Sequence, residues 1–67
     1  MLFKLLINGE EKQVSSTTVQ ALILELELEG KRVAVELNKQ IVPRSTYPEQ
    51  KLSAGDQIEL VHFVGGG

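Results

Sequence analysis

Val19-Gln20-Ala21-Leu22-Ile23-Leu24-Glu25-Leu26-Glu27-Leu28-Glu29 admits two readings, and the choice between them decides the fold. From Leu24 to Glu29 leucine and glutamate alternate strictly, the pattern of a strand with one buried face. Val19, Leu22, Ile23 and Leu26, however, fall at i, i+3, i+4 and i+7, a stripe about 100° wide on a helix. Composition breaks the tie. Leucine, glutamate, alanine and glutamine form helices readily, and β-branched and aromatic residues are scarce here. The flanking residues agree: Ser15-Ser16-Thr17-Thr18 offers several N-caps, Thr17 with Gln20 fits a capping box, and Gly30 follows as a stop. A helix is therefore expected from about Thr18 to Glu27, with Leu28 folding back as a hydrophobic C-cap contact and Leu24 partly exposed.

Everything around that helix reads as strand. Phe3, Leu5 and Ile7 alternate with Lys4, Leu6 and Asn8, as in a strand with one buried face. Asn8-Gly9 then signals a hairpin, because both central positions of a type I′ turn need positive φ. The return strand, Glu10 to Val14, is short and polar, which suits a sheet edge that must resist aggregation. Downstream, Arg32 to Asn38 sets Val33, Val35 and Leu37 against Ala34, Glu36 and Asn38. Gln40-Ile41-Val42 is a short fourth strand stopped by Pro43, which cannot donate to a ladder. Ser45 to Leu52 is a polar connector holding a second proline and Tyr47; Ser53-Ala54-Gly55-Asp56 is a turn, and Ile58 to Val64 is the last strand. No repeat, low-complexity tract or linker interrupts this order, so residues 1–64 are expected to form one body and 65–67 a glycine tail.

A hairpin, one helix and three more strands in 67 residues imply the α+β class, a mixed sheet with the helix packed on one face. Crossovers avoid knots and are right-handed where they join parallel strands, which favours the last strand in the middle, parallel to the first. That arrangement resembles the β-grasp architecture of ubiquitin-like domains. With 42% hydrophobic residues and no cysteine, stability must come from an apolar core, worth roughly 3–10 kcal/mol at this length. The absence of cysteine also excludes a thiol nucleophile and a thiolate zinc site, and a single His62 excludes a multi-histidine metal site. The net charge is −2, with seven basic residues scattered apart from Lys31-Arg32, so no nucleic-acid footprint is present. No apolar run approaches membrane-spanning length and Met1-Leu2-Phe3-Lys4 lacks a signal-peptide pattern, so no membrane role and a cytoplasmic location are expected.

Charges assign the sheet faces. If Glu59 faces solvent, Ile58 and Leu60 face the helix while Val61 and Phe63 face outward; Lys4 places Leu6 outward by the same test. Leu6, Val61 and Phe63, with Val64 at the strand's end, are thus a candidate apolar docking patch leading into Gly65-Gly66-Gly67. Three glycines at full extension reach roughly 10 Å, and without Cβ atoms they can enter slots closed to other residues. Taken alone they fit either a frayed terminus or a stalk that presents the carboxylate of Gly67. No constellation in the body looks catalytic. His62 has no Ser or Cys partner, Glu25, Glu27 and Glu29 follow a helix surface, and spacing assigns no role to Arg44 or Tyr47.

Asn38 to Tyr47, N-K-Q-I-V-P-R-S-T-Y, resembles the ThiS family of sulfur carriers in thiamine biosynthesis, where an Asn precedes a Val-Pro-Arg segment and then Tyr or Trp. Gly55 to Gly67, G-D-Q-I-E-L-V-H-F-V-G-G-G, is similar to that family's Gly-Asp turn, terminal strand and di-glycine end. The resemblance covers the whole chain in length and element order. It implies that the chain is no enzyme but a protein cosubstrate. A ThiF-like adenylyltransferase of the ubiquitin-activating type would adenylate Gly67, using ATP that the chain itself does not bind as a cofactor. A sulfur donor derived from a cysteine desulfurase would convert the adenylate to a thiocarboxylate, and a ThiG-like thiazole synthase would take the sulfur. Gly65 and Gly66 would thread the partners' active sites. The alternatives are a carrier like the small subunit of molybdopterin synthase, a conjugated ubiquitin-like modifier, and an interaction domain with an incidental glycine end.

Overall fold

The chain first reverses at Asn8-Gly9, whose φ angles of 51° and 84° are those of a type I′ turn. This computed structural model describes residues 2–30 and 32–63, the last by its backbone alone. The turn joins β1 (Phe3–Ile7) to β2 (Glu10–Val14), pairing Phe3 with Val14 and Ile7 with Glu10. Leu5 and Ile7 are buried, whereas β2 buries only Val14. A polar strand in that position leaves the sheet edge unattractive to other chains.

The ambiguous stretch is a helix, α1 (Val19–Glu25), shorter than expected at both ends. Its N-cap is Thr18 rather than Thr17, and Thr18 Oγ1 accepts the Ala21 N–H at 3.1 Å. The shift has a tertiary cause. Thr17 gives its carbonyl to Leu52 N–H at 2.9 Å and Thr18 bridges to Lys51, so the backbone stays extended one residue longer and the next hydroxyl takes the cap. At the other end Gly30 does not supply the stop. Glu27 adopts φ 61°, its N–H donates to Leu24 O at 3.1 Å, and Leu28 N–H donates to Ile23 O at 2.9 Å. These two bonds form a Schellman motif with a non-glycine residue in the left-handed position. Leu28 packs against the core and Leu24 is 46% exposed, as expected for both.

Three further strands, β3 (Arg32–Leu37), β4 (Gln40–Val42) and β5 (Gln57–Phe63), complete a five-stranded sheet in the order β2-β1-β5-β3-β4. β5 runs parallel to β1 through Leu6–Gln57 and Ile7–Ile58, and antiparallel to β3 from Leu37–Ile58 to Arg32–Phe63. The last strand is therefore central and beside the first. The helix stripe Val19, Leu22 and Ile23 closes over Leu5, Val33, Val35, Ile58 and Leu60; each such side chain contributes about 1.5–3 kcal/mol when fully buried. The expected strand end at Val64 and the expected body–tail boundary after it lie outside the described residues.

Two asparagines tie the turns to β5. Asn8 Oδ1 accepts Leu60 N–H at 2.8 Å and its Nδ2 donates to Leu60 O at 3.2 Å, so a side-chain amide extends the β1–β5 ladder past the end of β1. Asn38 and Lys39 close the β3–β4 hairpin with φ of 51° and 69°, a left-handed pair without glycine. Asn38 offsets that strain by accepting Gln57 N–H at 3.0 Å and donating to Asp56 Oδ1 at 3.2 Å.

Tyr47 settles the role of the polar connector. Pro43 ends β4 opposite Val35 and leads into a 3-10 turn, Arg44–Thr46, that swings Tyr47 into the core. Its hydroxyl donates to Val33 O at 2.9 Å. β4 does not reach Val33, so the phenol takes a carbonyl that a longer strand would have paired.

Candidate functional site

The open sheet face is built from alternation. Inward Leu5, Ile58, Leu60, Val33, Val35 and Val42 leave Leu6, Glu59, Val61, Ala34, Glu36 and Ile41 pointing away from the helix. Leu6 and Val61 thus lie on the expected face, Leu6 half-buried and Val61 54% exposed. They are not neighbours. The parallel register sets Leu6 beside Gln57, and Val61 follows four residues on, about 13 Å along the strand. Leu6 instead borders a shallow hollow of about 290 Å³ with Glu36, Lys39, Gln57 and Glu59. Val61 stands opposite Ala34. The side chain of Phe63, and Val64, Gly65, Gly66 and Gly67, lie outside the described residues.

Two features of this face escaped the sequence reading. Ile41, 78% exposed, faces outward opposite Glu36; the burial of Val42 just before Pro43 is the signal that places it. Glu36 and Glu59 are directly opposed across β3 and β5 and both are exposed. Their carboxylates run between the apolar positions Ile41, Ala34 and Val61, and like charges so placed repel. His62 lies at the other face, in a groove with Leu26, Leu28 and Leu60. Among the described residues no group of three or more His, Cys, Asp or Glu could hold a metal ion, and no helix is long and apolar enough to cross a membrane.

A five-stranded mixed sheet gripping one helix, with its central strand running toward the glycines of the sequence, defines the class: a β-grasp domain of the ubiquitin-like kind. Comparison with known proteins narrows it. The model of the ThiS family matches residues 5–67, and the chain belongs to that family. The sulfur carrier protein ThiS of Bacillus subtilis is 43% identical over 63 residues, covering 91% of this chain and 96% of that protein. A thiazole synthase of Paramagnetospirillum magneticum is 51% identical over 65 residues, 96% of this chain but 20% of that protein. The chain thus spans about a fifth of the length of that relative, and the same share of a second thiazole synthase, from Magnetococcus marinus. The crystal structure of the thiamine biosynthesis protein ThiS from Geobacter metallireducens superposes with a TM-score of 0.81 at 29% identity, covering 97% of this chain and all of that one.

Proposed function

We propose that this chain is the sulfur carrier that supplies the thiazole ring of thiamine, with Gly67 as the carrying residue. The observation that supports this most directly is the family match through Gly67, together with a match along nearly the full length of the Bacillus sulfur carrier. A free α-carboxyl has a pKa near ~3.5, so at neutral pH it is an anion and a poor electrophile. In the proposed sequence, a carboxylate oxygen of Gly67 attacks the α-phosphorus of ATP on a ThiF-like adenylyltransferase, and pyrophosphate leaves. The acyl adenylate is neutral at the carbonyl and has a good leaving group. The persulfide of a donor fed by a cysteine desulfurase displaces AMP to give an acyl persulfide. A thiol then cleaves its S–S bond, leaving as a disulfide with the donor sulfur and releasing a terminal thiocarboxylate.

That sulfur is the nucleophile the acceptor enzyme takes, so in this reading the chain is a cosubstrate and the enzymes act on it. Gly65 and Gly66 give the backbone access to narrow channels. Val61, Ile41 and Leu6 on the open face, with Phe63 and Val64 beside the glycines, supply docking area. Thiazole synthase is the proposed acceptor, a partner supported by the relatives in which a segment like this chain and that enzyme share one polypeptide. A cytoplasmic location, where ATP and such a sulfur donor are at hand, belongs to the same reading.

The test is an intact mass after incubation with ATP, the cognate adenylyltransferase and a sulfur source. The expected product has one oxygen exchanged for sulfur, and deletion of Gly65, Gly66 and Gly67 together abolishes it. An unchanged mass for the full chain would overturn the proposal.

A further inference from the structure

β5 is central for only part of its length. β3 flanks it from Leu37–Ile58 to Arg32–Phe63, but β1 pairs with Gln57 and Ile58 alone. The backbone groups turned toward β1 belong to even-numbered residues: Asp56 O accepts Leu6 N–H and Ile58 O accepts Asn8 N–H, both at 3.0 Å. At the level of Leu60 the chain has already left β1 for the Asn8-Gly9 turn. The Asn8 side chain takes the strand's place there, accepting Leu60 N–H at 2.8 Å and donating to Leu60 O at 3.2 Å. By the same alternation His62 turns its N–H and carbonyl to this flank, where no strand stands among the described residues.

Among the described residues Asn8 is therefore the last hold on this flank of β5, and packing adds little beyond it. On the helix face the clamp borders a groove of about 270 Å³ with Leu26, Leu28 and His62 along its walls. On the open face Val61 is 54% exposed. An amide suits the position because it carries a donor and an acceptor, as a backbone peptide does, whereas a carboxylate only accepts. The amide is itself anchored, since Asn8 sits in the turn at φ 51° with its own N–H bonded to Ile58 O. Val61, His62 and Phe63 rise about 10 Å beyond Leu60, so a tilt of about 10° at Leu60 moves the strand end by about 2 Å.

We infer that Asn8 is a positioning residue for the reaction at Gly67: its side chain seats the end of β5 against β3 and so sets the point from which the glycines depart. The inference rests on the sulfur-carrier reading. An enzyme that takes the carboxylate of Gly67 engages the body and the strand end together, so it binds the form in which that end is seated. Loss of the amide lowers the fraction of chains in that form, and the apparent affinity falls by the same factor. Once bound, the strand end is held by the enzyme and the chemical step is unchanged. Asn38 is the internal comparison. Its side chain also makes two bonds, to Gln57 N–H and Asp56 Oδ1, but at the opposite end of β5.

The test is the steady-state kinetics of thiocarboxylate formation with ATP, the cognate adenylyltransferase and a sulfur source, the full chain being the varied substrate. Asn8→Gly keeps a residue suited to positive φ and removes the amide. It should raise KM about threefold or more and leave kcat within about twofold. Asn8→Asp, which keeps the acceptor for Leu60 N–H, should raise KM less. Asn38→Ala should leave both constants within about twofold. In the free Asn8→Gly chain, amide hydrogen exchange should quicken about threefold more at Val61, whose N–H faces β3, than at Leu22 in the helix. Thermal melts show that each variant is folded at the assay temperature; if Asn8→Gly is not, the decision passes to Asn8→Asp. An unmoved KM in a folded Asn8 variant, a fall in kcat alone, no selective change at Val61, or an equal rise in KM with Asn38→Ala would each overturn the inference. No product from the wild-type chain would overturn the sulfur-carrier reading and the inference with it, whereas wild-type product with an unmoved KM in the Asn8 variants overturns the inference alone.

Discussion

Replacing Tyr47 with Phe removes one oxygen and leaves the ring in place, so it isolates the hydroxyl's contribution to joining the connector to the sheet. Tyr47 is 6% exposed and its hydroxyl lies 2.9 Å from Val33 O. No cavity opens, because the ring keeps its contacts. What changes is the Val33 carbonyl, which lies on the β4 side of β3 but beyond the end of β4, whose pairing stops at Val35. A net hydrogen bond is worth about 0.5–1.5 kcal/mol, and a buried acceptor left unpaired costs about 1–3 kcal/mol. Tyr47→Phe should therefore destabilise by about 1–2 kcal/mol. In a domain of this size that lowers the melting temperature by roughly 5–15 °C, a large share of a total of about 3–10 kcal/mol. Thermal and urea unfolding followed by far-ultraviolet circular dichroism measures it, with an unchanged urea m-value. Melting within about 1 °C of the wild type would mean that water replaces the phenol, and the reasoning that Tyr47 completes the β3 edge would fail.

Asn8→Ala should lose the two amide bonds to Leu60 and a residue suited to positive φ, costing about 1–3 kcal/mol; Asn38→Ala, whose bonds are exposed, should cost less in the same urea titration. Glu27→Gly should raise stability by about 1 kcal/mol, because Glu27 occupies a left-handed position at φ 61° that glycine adopts without a Cβ clash. Glu36→Lys turns a repulsive cross-strand pair with Glu59 into an attractive one, and should stabilise by about 0.2–1 kcal/mol at low salt and less at high salt.

The helix was legible because cap, stripe and composition all supported it, and tertiary contacts then moved its ends. Bonds from the 50–52 segment delayed its start by one residue. Its stop fell on Glu27 because Leu28 and Ile23 could meet there, a packing gain that Gly30 alone does not offer. The faces of the strands were legible from Glu59, Lys4 and Glu36. Alternation fixes a face but not a register, so Leu6 and Val61 shared a face without sharing a patch. The Asn38-Lys39 turn passed unread because it lacks glycine and draws its support from Asp56 and Gln57, far away in sequence. Tyr47 had no assignable role for the same reason, since its partner lies fourteen residues upstream.

The parallel pairing of β1 with β5 also gives the molecule two poles. Phe3 lies three residue levels below Leu6, and Phe63 six levels above Gln57, to which Leu6 is matched. At about 3.3 Å per level, roughly 30 Å separate the two along the strand axis. An affinity handle or surface tether joined ahead of Phe3 therefore stands at the far end from the strand that leads to the glycines, and immobilised protein can offer that strand end to enzymes in solution. A circular permutant that closes Phe63 back to Phe3 would need a connector long enough to run the length of the sheet.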